Sequence, residues 1–75
     1  MKNQKMNNIT FDLEGEFIEL IKLLKVLRIA ESGGQAKMFV DEGEVLHNGE
    51  PESRKRAKLR KGDTVQIFNV LIKIT

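Results

Sequence analysis

Apolar residues recur at helical spacing between Glu16 and Arg28. They stand three or four positions apart, as on one face of a helix, at Phe17, Leu20, Ile21, Leu24 and Leu27. Charged residues fill positions between them, as expected where the opposite face of a helix meets water. The pattern therefore predicts a first helix over residues 16–28.

A second helix is predicted to begin after Ser32, which ends a short turn over residues 29–32. Ser32 is a good N-cap, and Gln35 stands three residues later, as in a capping box. The short apolar face of this helix consists of Ala36, Phe39 and Val40. Gly43 is placed to end the helix in a left-handed conformation. Two helices joined by so short a turn form a helix-turn-helix.

The other parts of the chain alternate between apolar and polar residues over short stretches, which predicts strands. These stretches are residues 9–13, 44–47, 64–68 and 70–74. Asn48-Gly49 is the strongest signal for a two-residue hairpin turn, and Pro51 confines the returning strand to an edge. Lys61-Gly62-Asp63 predicts a further turn. We therefore expect an α+β fold, a helix-turn-helix packed on a small, mostly antiparallel β-sheet.

Length and hydropathy restrict the domain organisation. A chain of 75 residues is one domain with a small core. Residues 1–8 are polar and predict a flexible tail, so that residues 9–75 form the single domain. The tail lacks the apolar stretch of a secretory signal, and no apolar run approaches the roughly 20 residues of a membrane span. A soluble, cytoplasmic protein without membrane contact is the expectation.

Composition narrows the classes of function. Cysteine is absent, which excludes disulfides and thiolate metal sites. His47 is the single histidine, so that neither a histidine metal cluster nor a Ser-His-Asp triad can form. We interpret His47 as a partly buried strand residue rather than a catalytic base. The sequence also has no phosphate-binding P-loop or dinucleotide fingerprint. No enzymatic activity, cofactor or metal is expected.

The charge is divided between the two ends of the chain. Residues 1–52 carry six Lys and Arg against ten Asp and Glu, whereas residues 53–75 carry seven against one. Six cations fall within Ser53–Lys61, here named the basic segment: Arg54, Lys55, Arg56, Lys58, Arg60 and Lys61. Concentrated positive charge releases counterions when it meets a phosphate backbone, which favours nucleic-acid binding. The alternative is a solvated strand face, but no acidic residue within the segment balances its charge.

Three further residues are candidate contacts, and two of them have a simpler structural explanation. The N-terminus of the second helix, near Ser32, offers free N–H groups to a phosphate, although capping alone explains Ser32. Lys37 is predicted on the exposed face of that helix. Asn48 stands beside the basic segment, although a hairpin turn alone explains it.

Together these motifs resemble the RNA-binding domain of ribosomal protein S-four, known as the alpha-L motif. The resemblance rests on Ser32-Gly33-Gly34-Gln35-Ala36-Lys37, on Gly43-Glu44-Val45-Leu46-His47-Asn48-Gly49 and on Lys61-Gly62-Asp63-Thr64-Val65. The details are most similar to the small stand-alone YbcJ-type proteins of bacteria. Gly33 departs from the arginine of the wider family, and Leu46 and His47 depart from its polar and apolar strand pattern.

The resemblance implies a non-catalytic protein that binds structured RNA, either ribosomal or transfer RNA, with the ribosome or an assembling ribosomal particle as a further partner. The binding face would consist of the second helix and the basic segment. The implied contacts are Ser32, Gln35, Lys37, Asn48, Arg54, Lys55, Arg56, Lys58, Arg60 and Lys61. A monomer is favoured. The phenylalanines at 11, 17, 39 and 68 are predicted to pack in or beside the core and to form no stacking platform.

Two other functions remain open from the sequence. The first is a DNA-binding helix-turn-helix protein, although Gly33, Gly34, Gln35 and Lys37 are a poor set for reading bases in the major groove. The second is an interaction module that binds an acidic protein through the basic segment. Competition between duplex DNA and structured RNA separates the first from RNA binding, and co-purification after nuclease treatment tests the second.

Overall fold

The computed structural model describes residues 6–75. The two helices in this range are α1 (Leu20–Val26) and α2 (Gly33–Asp41). The strands are β1 (Asn7–Phe11), β2 (Ile18–Glu19), β3 (Val45–His47), β4 (Glu50–Pro51), β5 (Lys58–Leu59), β6 (Thr64–Ile67) and β7 (Val70–Ile74). Five of them form a sheet in the order β1-β7-β6-β3-β4, and β2 and β5 form a second, two-stranded sheet. The predicted α+β class is confirmed.

The first helix is shorter than predicted, because it begins at Leu20 rather than Glu16. Ile18 and Glu19 are extended and pair antiparallel with Leu59 and Lys58 of β5. Because these two residues form a strand, they cannot form the first turn of the helix, where helical spacing alone had placed them. The apolar periodicity is real, but its first member, Phe17, precedes the helix, and its last, Leu27, is the C-cap that follows Val26.

The second helix begins and ends where the sequence predicted. The hydroxyl of Ser32 accepts a hydrogen bond of 3.1 Å from the backbone N–H of Gln35. The amide oxygen of Gln35 accepts from Glu31 at 2.6 Å, one residue earlier than in a standard capping box. Gly43 has a φ of 77°. Its N–H bonds to the carbonyl of Val40, and the next N–H bonds to that of Phe39, which is a Schellman ending.

The hairpin and its register are also defined. Asn48 and Gly49 have φ values of 53° and 86°, as a type I′ turn requires. Strand β4, which contains Pro51, lies at the edge of the sheet, as predicted. Val45 pairs with Ile67 in β6, and His47 pairs with Val65. Paired residues share a face, so His47 lies on the core side of the sheet.

One edge of the sheet differs from a purely antiparallel arrangement. Strand β1 pairs in parallel with β7, while the other pairings in the sheet are antiparallel. It begins at Asn7, so that Asn7 and Asn8, which were assigned to the tail, belong to the strand. Residues 1–5 of the predicted tail lie outside the described residues.

The core lies between the two helices and one face of the large sheet. Helix α1 contributes Leu20, Leu23 and Leu24, and helix α2 contributes Ala36 and Val40. The sheet contributes Val45, Val65, Ile67, Ile72 and Ile74, and the basic segment adds Ala57 and Leu59. Apolar and polar residues alternate along β6 and β7 because every second side chain of a strand points to the same face, which here is the core.

The phenylalanines are more exposed than predicted. Phe11 and Phe39 are half-buried and pack against the core. Phe17 and Phe68 remain 39% and 53% exposed and lie outside the core. Phe68 meets the ring of Phe39 edge to face, with centroids 5.1 Å apart. Phe17 precedes α1 and is therefore not carried into the core by that helix.

Replacing Leu24 with alanine should destabilise the protein by roughly 2–5 kcal/mol, because the side chain is fully buried and its removal leaves a cavity. Urea unfolding followed by circular dichroism measures the loss. Val26→Ala on the same helix is the matched control, since Val26 is 52% exposed and should change stability little. Equal effects of the two substitutions would contradict the orientation assigned to α1.

Candidate nucleic-acid interface

The basic segment is attached to the first helix through its backbone. The carbonyls of Lys55 and Ala57 accept hydrogen bonds of 3.1 and 2.9 Å from the N–H groups of Ile21 and Leu20. These N–H groups belong to the first turn of α1 and have no partner within the helix. The segment therefore caps α1 with its main chain.

Alternation within the segment separates packing from charge. Ala57 and Leu59 enter the core, whereas the cations at 54, 55, 56, 58, 60 and 61 are exposed. Leu59 pairs with Ile18 in the small sheet, which fixes its direction. Because Ala57 and Leu59 point into the core, the basic side chains between and beside them point to solvent, as predicted.

Two of the cations lie over an aromatic ring. The Nζ of Lys58 is 4.8 Å from the ring centroid of Phe17, and the guanidinium carbon of Arg60 is 5.9 Å from it. A cation over the face of a ring is attracted by the ring quadrupole. Phe17 was not among the predicted site residues, and it orients two of them. The sequence pattern placed Phe17 on the apolar face of the first helix, so its contact with these cations was not predicted.

Arg54 differs from the other cations because it has a carboxylate partner. Its Nε and Nη2 donate to Glu52 at 3.1 and 3.3 Å, and its backbone N–H donates to the same carboxylate at 3.0 Å. Glu52 is buried, with a relative exposure of 8%. The hydrogen bonds from Arg54 outweigh the cost of burial and lower the pKa of Glu52 to about 2. Arg54 is thus partly a structural residue.

The predicted contacts on the second helix are engaged in local bonds. Ser32 and Gln35 form the N-terminal cap described above, and Lys37 forms an exposed ion pair with Asp41 at 2.7 Å. The N–H groups of Gly33 and Gly34 make no hydrogen bond within residues 6–75. A Cβ added at Gly33 would meet no atom within 4 Å. Free donors and open space at the N-terminus of α2 suit a phosphate, and a phosphate contact at this helix end stays a prediction.

The side chain of Asn48 holds the hairpin to the next turn. Its amide oxygen accepts from the backbone N–H of Thr64 at 2.8 Å, and its amide nitrogen donates to Asp63 at 3.2 Å. Asp63 also accepts from the backbone N–H of Arg60 at 2.9 Å. The turn at residues 61–63 is thereby joined to the hairpin.

His47 lies in the middle of these contacts. Its Nδ1 is 3.1 Å from Glu52, and its Nε2 is 3.1 Å from Asp63. Its side chain is 17% exposed. The interpretation as a partly buried strand residue is confirmed, but the two carboxylates around it were not predicted. They come from different turns, so only the folded chain brings them together.

The parts of the predicted face are attached to different elements. The described hydrogen bonds of the basic segment lead to α1, to the small sheet, to Glu52 and to Asp63, and none leads to α2. No described hydrogen bond therefore fixes the basic segment relative to the N-terminus of α2, and that helix end is a separate candidate contact.

Other kinds of site have little support in the described residues. An open groove of about 290 Å³ lies beside Phe11, Phe17 and Val26, away from His47. Among residues 6–75, no group of three His, Cys, Asp or Glu is arranged to hold a metal ion. Over the same range, no helix has the length and apolar character to cross a bilayer.

Comparison with known proteins identifies relatives across most of the chain. Residues 11–75 match the S4 domain family. The chain is 46% identical over 55 residues to the Probable ribosome maturation protein RlbA of Bacillus subtilis (strain 168), covering 73% of this chain and 78% of that protein. It is 48% identical over 48 residues to YbcJ of Escherichia coli (strain K12), covering 64% and 69%.

A solved structure has the same fold. The solution structure of YbcJ from E. coli, described as revealing an ALFAL motif involved in RNA-binding, matches with a TM-score of 0.65 at 38% sequence identity. The match covers 97% of this chain and 96% of that one. The resemblance drawn from residues 32–37, 43–49 and 61–65 is confirmed.

Ser32→Ala should lower the free energy of unfolding by about 1 kcal/mol, because Gln35 loses its N-cap acceptor. Ser32→Asp should retain the cap and the stability, since aspartate is an equally good N-cap. Chemical denaturation of both variants measures the difference. If Ser32→Ala unfolds at the wild-type urea concentration, the cap makes no measurable contribution.

Glu52 should make the protein sensitive to acid. Because its pKa falls from 4.5 to about 2 on folding, its stabilisation is present above pH 4.5 and is lost as the pH falls toward 2. The loss amounts to about 3 kcal/mol. Urea unfolding between pH 6 and pH 2.5 measures it, and Glu52→Gln should flatten this dependence. Glu44→Gln, at an exposed position, is the control, and a flattening as large in this variant would remove the assignment to Glu52.

Proposed function

This chain belongs to the S4 domain family, and we propose that it is a non-catalytic RNA-binding protein that docks on structured RNA through its basic segment. The N-terminus of α2 supplies a second contact. The observation that carries the proposal is a rigidly held group of cations without acidic partners. Within residues 6–75, no ion pair is formed by Lys55, Arg56, Lys58, Arg60 or Lys61.

The acidic residues at the two ends of the basic segment are occupied elsewhere, and Glu19, which pairs with Lys58 in the small sheet, forms no ion pair within residues 6–75. Asp63 is the single carboxylate side chain after Ser53, and it bonds to His47, Asn48 and the backbone of Arg60. Glu52 binds His47 and Arg54. The positive charge of the other five cations is thus left for a partner. Burial of Ala57 and Leu59 holds these cations on a fixed backbone, which lowers the entropy lost on binding.

The second helix favours RNA over DNA as the nucleic acid. A helix that reads the major groove needs several free side chains on its exposed face. In α2 these positions hold Gly33 and Gly34, Gln35 in the cap and Lys37 in an ion pair. A-form RNA is read mainly through phosphates and 2′-hydroxyl groups, for which backbone N–H groups and cations suffice.

The names of the relatives support a ribosomal target. RlbA is named a probable ribosome maturation protein, and the YbcJ motif is described as involved in RNA-binding. We infer that ribosomal RNA, within an assembling ribosomal particle, is the partner of this chain, with transfer RNA as the second structured RNA to compare.

Affinity measurements at several salt concentrations test the proposal. The probes are ribosomal RNA, transfer RNA and duplex DNA of equal length. Tighter binding to ribosomal RNA, with a steep loss of affinity as salt rises, supports the proposal. Equal affinity for duplex DNA would favour the helix-turn-helix alternative. Absence of binding to all three would overturn the proposal and favour an acidic protein partner.

Replacing Lys55 and Arg56 together with alanine should weaken RNA binding and lower the salt slope by about 1 per side chain. Stability should be unchanged, because both side chains are exposed and make no hydrogen bond in the described chain. Lys73→Ala, on the outer face of β7, is the matched control and should retain wild-type affinity.

Arg54 requires a separate measurement, because its substitution also removes a partner of Glu52. Arg54→Ala should lower both stability and RNA affinity.

If the double variant at Lys55 and Arg56 binds RNA like the wild type, the basic segment is not the binding surface.

A further inference from the structure

Both ends of the basic segment are held by carboxylates. At the first end, Oε2 of Glu52 accepts from the backbone N–H of Arg54 at 3.0 Å. At the other end, Oδ2 of Asp63 accepts from the backbone N–H of Arg60 at 2.9 Å. These two hydrogen bonds fix the backbone at the first cation of the basic segment, Arg54, and near its last, at Arg60. Each carboxylate is largely shielded from solvent, with a side-chain exposure of 9% for Glu52 and 23% for Asp63.

The imidazole of His47 joins the two carboxylates. Nδ1 lies 3.1 Å from Oε1 of Glu52, and Nε2 lies 3.1 Å from the Asp63 oxygen that also accepts from Arg60. His47 is itself fixed in β3, where its backbone pairs with Val65. One side chain of the large sheet therefore connects both ends of the segment.

The geometry requires a particular charge state of His47. An ionised carboxylate only accepts hydrogen bonds, so that both ring nitrogens must donate, which only the imidazolium can do. In the neutral ring, one nitrogen lone pair would face a carboxylate oxygen. That contact would lose its hydrogen bond and become repulsive, and one end of the segment would lose one of its attachments to the sheet.

The surrounding charges favour the imidazolium. Burial of the ring lowers the pKa of His47, but the hydrogen bonds and negative charges of Glu52 and Asp63 raise it by more, so that the pKa lies above its usual value. Glu50 is the register partner of His47 in β4, and its exposed side chain makes no hydrogen bond or ion pair with the ring within the described residues. The cation nearest along this network is Arg54, which is bound to Glu52.

We propose that His47, as an imidazolium, is a positioning residue that holds both ends of the basic segment in their RNA-binding arrangement, so that RNA affinity falls when His47 loses its proton. The inference rests on the proposed function. Among the side chains of residues 6–75, the proposal concerns the proton of His47, because lysine and arginine side chains ordinarily stay charged up to about pH 9. His47 also stabilises the fold below its unfolded pKa, and this stabilisation is lost as the pH rises through the higher folded pKa.

The first measurement needs no RNA. Nuclear magnetic resonance follows the His47 ring and the backbone amides of Arg54 and Arg60 from pH 5.5 to 9. We expect both amides to shift with the midpoint of the ring. Amides that do not respond to the ring would overturn the inference, whether or not the protein binds RNA.

The second measurement is the affinity for ribosomal RNA at pH 6 and pH 8.5 at constant salt, with circular dichroism confirming that the protein is folded at both. Affinity should fall on the order of threefold to tenfold at the higher pH. This is less than the full free energy of one charge-assisted hydrogen bond, because only part of that free energy affects RNA binding. The salt slope should be unchanged, because His47 faces carboxylates and not phosphate. A lower slope would instead make His47 a direct phosphate contact and overturn its positioning role.

His47→Gln is the matched variant, since a glutamine amide does not titrate in this range. It should bind RNA with reduced affinity that is equal at both pH values. Should this variant not fold, Asp63→Asn provides a second test, because removing one negative charge should shift the midpoint of the His47 ring and of the affinity to lower pH. Wild-type affinity that is the same at both pH values would overturn the inference. No RNA binding at either pH would refute the proposed function, and the amide titration would still show whether His47 holds the segment.

Discussion

The buried carboxylate of Glu52 is the interaction on which the arrangement of the basic surface depends. It lies just after the edge strand, and its backbone N–H bonds back to Val45 in the sheet. From there it binds the main chain and guanidinium of Arg54 and faces the ring of His47. A buried ion is stable only when its charge is compensated, so these partners are mutually dependent. The sheet is thereby joined to the segment that follows.

The same segment serves the core and the surface. Ala57 and Leu59 are buried, and the carbonyls of Lys55 and Ala57 complete the first turn of α1. A small protein has few residues to spare for a separate binding module, because its core is small relative to its surface. The proposed binding surface is therefore built from residues that also hold the first helix, and a change in that backbone would affect both.

The sequence predicted the family, the α+β class and the basic segment, because these depend on local spacing and composition. The cap at Ser32 and the left-handed ending at Gly43 are local signals, and both are present. The start of α1 was predicted wrongly, because helical spacing around Phe17 cannot reveal a strand pairing with Leu59. The exposure of Phe17 has the same cause. A non-local hydrogen bond leaves no periodicity in the chain.

By itself, the sequence determined which residues are apolar, where the chain turns and where positive charge accumulates, since each is a property of neighbouring residues. Only the tertiary structure decided how that charge is compensated. Along the chain, Arg54 was predicted as one cation of the basic segment, Asp63 as a turn residue and His47 as a strand residue, and Glu52 was given no role. Folding places them within hydrogen-bonding distance, because the hairpin and the turn at residues 61–63 meet at the end of the sheet. Compensation depends on distances in space, which a linear pattern does not contain.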